Sequence, residues 1–274
     1  MGAGELGGAV AHAIARRDLA RAITLVDERN TVAAGKALDI AQAAPVEGFA
    51  TQLAGSADIA VVGGADVVVI ADRVGTGEVT GEEALALLRR VSQMAPHAIV
   101  VCAGTSGREL VDRGVRELKR ARARVIGSAP EAMAGAAKAM VALALNGSAL
   151  DVSLSVLGIP PAQLVIPWED ATAGGFSLTR QLDEPTRRRL DTKIGALWPP
   201  GPYALAAAAA SVIAAIDGRS RQIASCFVAP DAMDAARMRT AAMPVRLGSA
   251  GIVEVILPLL NAVEKVALDN ATMM

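Results

Sequence analysis

Apolar and small residues come in short blocks along the first half of the chain, separated by polar turns. Residues 65–71 (Ala-Asp-Val-Val-Val-Ile-Ala) and 97–102 form apolar runs of the kind buried on both faces of a parallel sheet. Shorter runs at 22–27, 49–54 and 123–126 predict further strands. Between them, helical continuity or amphipathic spacing runs over 8–17, 31–44, 81–94 and 107–121. Strands alternating with helices at this interval predict βαβ units and a doubly wound parallel sheet, an α/β fold of Rossmann type.

After Gly127 the rhythm changes. Helices are expected at 132–145, 184–197, 205–216 and 259–271, and strands at 151–159, 164–167, 222–229, 243–245 and 252–256. Strands this close together predict a mixed antiparallel α+β unit. The domain boundary is therefore expected near 127, giving domains 1–127 and 128–274.

Hydrophobic residues make up 53% of the 274 positions but aromatic ones only 2%, so the core must be aliphatic and rich in alanine. A net charge of −1 gives no electrostatic reason to expect nucleic acid or an anionic membrane as partner. The longest apolar stretch, 203–216, falls short of the roughly 18 residues that a bilayer span needs. With no charged, apolar and cleavable leader pattern at the start, a cytoplasmic location is expected. Cys102 and Cys226 lie in apolar runs and read as buried thiols. Two histidines (His12 and His97) and two cysteines lack the spacing of a metal-ligand set. The Glu82-Glu83 pair and the Arg187–Arg189 cluster read as solvated helix faces, and Trp168 and Trp198 as packing residues beside proline turns.

The chain opens Met1-Gly2-Ala3-Gly4-Glu5-Leu6-Gly7, a G-x-G-x-x-G, and Asp27 follows Gly7 by 20 residues at the end of an apolar strand. In such a loop Gly2 permits the tight turn, Gly4 lets the backbone approach a pyrophosphate, and Gly7 allows close helix packing. The free amides of the helix start, around Glu5 and Leu6, then hold the phosphates, and Asp27 accepts the adenosine ribose hydroxyls and favours NAD over NADP. Ala71, at the end of the 65–71 strand, lies on the cofactor side. A glycine loop should follow a strand at the sheet's centre, yet only Met1 precedes Gly2. Either residues upstream of Met1 are missing from this sequence or the protein lacks its central first strand; the former is the expectation, because an empty central position would leave neighbouring backbone groups unpaired.

Further segments sharpen the assignment. Gly-Lys-Ala-Leu-Asp-Ile (35–40), Ala-Pro-Val-Glu-Gly-Phe (44–49), Gly-Ala-Asp-Val-Val-Val-Ile (64–70), Ala-Ala-Ser-Val (209–212) and Met-Pro-Val-Arg-Leu-Gly (243–248) resemble the lactate/malate dehydrogenase superfamily, in particular its lactate-dehydrogenase-like malate dehydrogenases. The resemblance covers nearly the whole length. It implies a Rossmann domain, a substrate domain, NAD, a dimer or tetramer, and hydride transfer between nicotinamide and a 2-hydroxy acid.

That chemistry needs a proton donor and acceptor, typically histidine, and arginines that grip the substrate carboxylate with two bonds. On the family's pattern the histidine falls on Pro160, its orienting aspartate on Met133, and the arginine three residues later on Ala136. The mobile loop, usually rich in arginine, reads Arg73 to Glu82 with one arginine. The asparagine after the fifth strand is replaced by Ala103, and the substrate-facing serine or threonine by Tyr203. No catalytic residue is therefore assigned. Asp72 and Arg73 are adjacent on a strand and should point to opposite faces, which argues against their sharing a substrate.

Three readings follow from the residues. The first is a relative that binds NAD(H) but has lost dehydrogenation. The second is an oxidoreductase for a more apolar small molecule, with Met133, Ala136 and Pro160 lining its pocket and Tyr203 as proton donor. The third is a structural protein without cofactor.

Overall fold

In the computed structural model, which describes residues 1–231, 233, 234 and 237–273, the glycine loop leads directly into α1 (Glu5–Ala15). This helix starts earlier than its apolar pattern implied, because Gly4 adopts the extended backbone of an N-cap and Glu5 puts an acid in the first turn. After β1 (Ala22–Val26), α2 (Asn30–Glu47) runs one turn past its expected end, carrying Pro45 inside it and stopping at left-handed Gly48. Next come β2 (Gln52–Ser56), β3 (Val67–Ile70), and a hairpin of β4 (Asp72–Arg73) and β5 (Gly77–Glu78). Then follow α3 (Gly81–Met94), β6 (Ile99–Cys102), α4 (Gly107–Arg116) and β7 (Val125–Gly127). His97 lies exposed in the turn before β6 rather than on the strand itself.

The second half begins with α5 (Ala129–Leu145), β8 (Val152–Ser153), β9 (Leu157–Ile159) and β10 (Gln163–Val165). The single strand expected over 151–159 is broken: the buried Ser225 hydroxyl takes the Val156 amide at 3.0 Å, so that residue leaves the ladder. A small sheet adds β11 (Thr172–Ala173) and β12 (Phe176–Ser177), followed by α6 (Leu178–Gln181), α7 (Glu184–Gly195) and α8 (Pro202–Ile216). The chain then forms β13 (Ala224–Val228), β14 (Ala241–Gly248), β15 (Gly251–Val255) and α9 (Ala262–Thr272), which Asn261 and Glu264 close with a capping box.

The main sheet runs in the order β10-β9-β14-β13-β7-β6-β3, with β15 beside β14. The β3-β6-β7 pairs are parallel, as expected, and β13, β14, β9 and β10 extend them antiparallel. β1 and β2 form a separate parallel pair. Between β1 and β3 lie Met1 and Gly2: the Gly2 amide donates to the Val26 carbonyl at 2.7 Å, and the Met1 carbonyl accepts from Ala71 at 2.9 Å. Helix α1 packs its Leu6, Val10 and Ile14 against Leu205, Ala209 and Ile213 of α8, joining the first half to the second. Ala206, Ala208 and Ala210 of α8 belong to the same cluster, in keeping with the alanine-rich composition. Cys102 and Cys226 are buried as expected, and burial pushes the Cys102 thiol up to about 12. No helix of the described residues is long and apolar enough to cross a membrane.

Candidate functional site

The loop from Gly2 to Gly7 is packed as tightly as its glycines suggest. A Cβ at Gly2 would lie 2.2 Å from the Asp72 carbonyl oxygen, and one at Gly7 would lie 2.2 Å from the Gly2 carbonyl oxygen. Gly2 also has φ +92°, where a side chain is strained. Lys36 reaches back from α2 and donates to the Gly4 carbonyl, putting a positive charge beside the loop. Glu5 is exposed, and Leu6 turns its side chain into the core.

At the start of α1 the seat for an anion is already filled. Asp72 Oδ1 accepts the Gly7 amide at 2.8 Å and Oδ2 the Leu6 amide at 3.1 Å. The neighbouring Arg73 points elsewhere, to Glu83 and to Glu28 at 3.7 Å. As strand alternation requires, the two do not converge on one ligand.

Asp27 stands where the sequence put it, just past β1, but it is only 6% exposed. Its carboxylate accepts amides from the chain itself: Ala3 at 2.9 Å, Arg29 at 3.0 Å and Val74 at 3.1 Å. Burial works to raise its pKa, and these three bonds with the nearby Arg73 charge outweigh burial and hold it below the usual value. Ala71 is buried at the end of β3 beside the loop.

Glu78, on the other leg of the hairpin, accepts the amides of Thr105 and Ser106, both at 2.8 Å, at the start of α4. Against the opposing pull of burial, its bonds to both groups of Ser106 and of Thr105 lower its pKa. Ser128, just after β7, is fully buried, and its hydroxyl has no hydrogen-bond partner among the described residues.

A hollow of about 420 Å³ opens between α5 and α8. Met133 and Ala136 line it, as expected from the resemblance, together with Leu197, Ala204 and Ala208. Glu131 and Ser211 supply its polar side chains. Glu131 accepts the Ser225 amide at 2.7 Å, and burial raises its carboxyl above the ordinary value despite that bond and Lys138. Pro160 is buried at the turn after β9 and does not line this hollow. Tyr203 is 81% exposed and does not line it either, so its expected part as proton donor there is corrected. His12 sits on α1 and bonds Glu47 at 3.2 Å, away from the hollow.

Residues 1–110 match the family model for the lactate/malate dehydrogenase NAD binding domain. A malate dehydrogenase of Syntrophotalea carbinolica is 47% identical over 70 residues, which span 26% of this chain and 22% of that protein. An L-lactate dehydrogenase of Allorhizobium ampelinum is 27% identical over 303 aligned positions, covering 100% of this chain and 95% of the relative. The solved malate dehydrogenase of Salinibacter ruber superposes with a TM-score of 0.85 at 24% identity, over 98% of this chain and 92% of that one. The first 110 residues are thus similar to the NAD binding domain of the lactate/malate dehydrogenase superfamily, and the whole chain shares the fold of a solved malate dehydrogenase.

The cofactor of this superfamily's amino-terminal domain is NAD. The close-packed glycine loop and the acid after β1 fit a dinucleotide, while the Asp72 carboxylate takes the helix-start amides that phosphates would use. The sequence singles out the glycines and Asp27, whereas Asp72, Glu78, Ser128 and Glu131 stand out only in the structure. Ser128 left a trace as a polar residue ending an apolar run; the others act through contacts tens of residues away.

Proposed function

We propose that this chain is a superfamily member that binds NAD(H) but does not oxidise malate or lactate, and acts through binding or association. The observation that carries the reading is the hollow between α5 and α8: among the described residues, its lining holds neither imidazole nor guanidinium. Met133 and Ala136 supply a thioether and a methyl where proton handling and carboxylate binding would need charge. Loss of a general acid/base alone costs about 10²–10⁴ in rate, and loss of the carboxylate anchors adds to it. The reading includes a homo-oligomer (a dimer or tetramer, in keeping with the family), a cytoplasmic location, and neither nucleic acid nor membrane as partner.

A second reading, an oxidoreductase for an apolar alcohol or ketone, is favoured by the same hollow. Its lining is apolar apart from Glu131 and Ser211, and Glu131, whose carboxyl burial raises above its ordinary value, is the candidate proton donor there. Calorimetric titration with NAD, followed by an NADH oxidation screen over 2-oxoacids, ketones and aldehydes, separates the two. The first reading expects heat on cofactor addition and no turnover. Turnover above about 1 s⁻¹, the low end of ordinary enzymes, on any member of the panel discards it. Absence of heat at millimolar NAD discards both in favour of a structural protein.

A further inference from the structure

Asp72 and Glu78 face each other as register partners across the β4–β5 hairpin, and each carboxylate caps a different helix. Asp72 holds the Leu6 and Gly7 amides of α1, and Glu78 holds the Thr105 and Ser106 amides that begin α4. Two residues after Asp72, the Val74 amide is given to Asp27. One short hairpin thus occupies both the helix amides and part of the acid of the glycine-loop cradle.

The position of the Asp72 carboxylate is specific. Its three atoms lie 2.3–2.6 Å from where a Cβ at Gly4 would stand. It therefore fills the space that the second glycine of the loop keeps clear. In a glycine-loop fold that space admits a pyrophosphate, which the first free amides and the helix dipole then hold. A carboxylate offers the same chemistry in miniature: two anionic oxygens on two amides. A negative pyrophosphate and a negative carboxylate cannot share those two donors.

We propose that the Asp72 carboxylate stands in the seat of the dinucleotide pyrophosphate, so that NAD binds this chain only by displacing it. The inference rests on the NAD-binding reading of the cradle and adds the residue that opposes it. A carboxylate serving merely as a helix cap would leave nucleotide affinity unchanged when removed. A stand-in for the pyrophosphate, once removed, raises it.

The test is calorimetric titration of the wild-type chain, Asp72→Ala and Asp72→Asn with NAD, and separately with inorganic pyrophosphate. Asp72→Asn keeps an amide oxygen for α1 and so guards against loss of the fold, while removing the charge. Both variants are expected to bind NAD at least tenfold more tightly than wild type, with a gain of the same order for pyrophosphate. Equal NAD affinity in all three proteins overturns the proposal and leaves the NAD reading intact. A gain for NAD without one for pyrophosphate overturns the assignment of the seat. No heat with NAD in any of the three overturns the proposal and the NAD reading together.

Discussion

Glu78 accepts both hydrogens that Ser106 can offer, the amide at 2.8 Å and the hydroxyl at 2.6 Å. These bonds, with a second pair from Thr105, fasten the β4–β5 hairpin to the start of α4. A Cβ at Gly104 would come within 2.4 Å of the same carboxylate, so the loop is shaped around it. Replacing Glu78 by Ala is expected to cost about 2 kcal/mol of stability, in the range for hydrogen bonds to a charged acceptor. The pH dependence follows from a carboxyl held below its ordinary value of 4.5. Its contribution is fully present above that value and is lost as pH falls through the lower folded pKa. Urea unfolding of wild type and Glu78→Gln should therefore show a gap at neutral pH that closes on acidification below 4.5.

Glu131 carries the opposite sign. Burial raises its carboxyl above 4.5, against the Ser225 amide and the Lys138 charge. The folded chain then holds the proton more firmly than the unfolded one. Stability is greatest below the unfolded pKa and falls as pH rises through the folded value. Glu131→Gln keeps an oxygen for Ser225 and removes the charge. Thermal melts across pH are expected to give the variant a melting temperature at or above wild type at neutral pH, and an equal one below 4.5. A variant that melts lower at neutral pH would mean the ionised carboxylate is well solvated.

The contrast between these acids shows what the sequence could and could not convey. The helix over 81–94 is found to the residue, because Ala84, Leu85, Leu87, Leu88 and Val91 are buried and the charged positions fall on the other face. That information is local. The break in the 151–159 run depends on Ser225, and the role of Asp72 depends on Leu6 and Gly7, partners 65 or more positions away. A polar residue at a strand end looks alike whether it meets water or caps a distant helix. The glycine loop was legible because its constraint is written in the glycines themselves; its occupant was not.

Met133 is fully buried, packed among Ala134, Ala137, Val141, Trp168 and Ile194. Returning an aspartate to this position, Met133→Asp, is expected to destabilise the fold by about 3–5 kcal/mol, the penalty of an unpaired buried charge. Among the described residues, no arginine or histidine lines the hollow to compensate. Denaturation with guanidinium measures this. A cost under about 1 kcal/mol, the level of ordinary surface changes, would show that the new carboxylate reaches water through the hollow.

Gly7→Ala sets two physical effects against each other. Gly7 lies in the first turn of α1, and helix propensity alone favours alanine by about 1 kcal/mol. The added Cβ, however, would meet the Gly2 carbonyl oxygen at 2.2 Å and its carbon at 2.9 Å. Those are backbone atoms, and the Gly2 amide is tied to Val26, so they yield only by moving the loop off β1. Overpacking of this kind costs about 1–3 kcal/mol, more than propensity returns. The variant is expected to be less stable than wild type and to bind NAD more weakly, because the same shift displaces the Leu6 and Gly7 amides. Equilibrium unfolding together with NAD titration tests both. A gain in stability would mean that the loop relaxes freely and that contact with the Gly2 carbonyl does not set its shape.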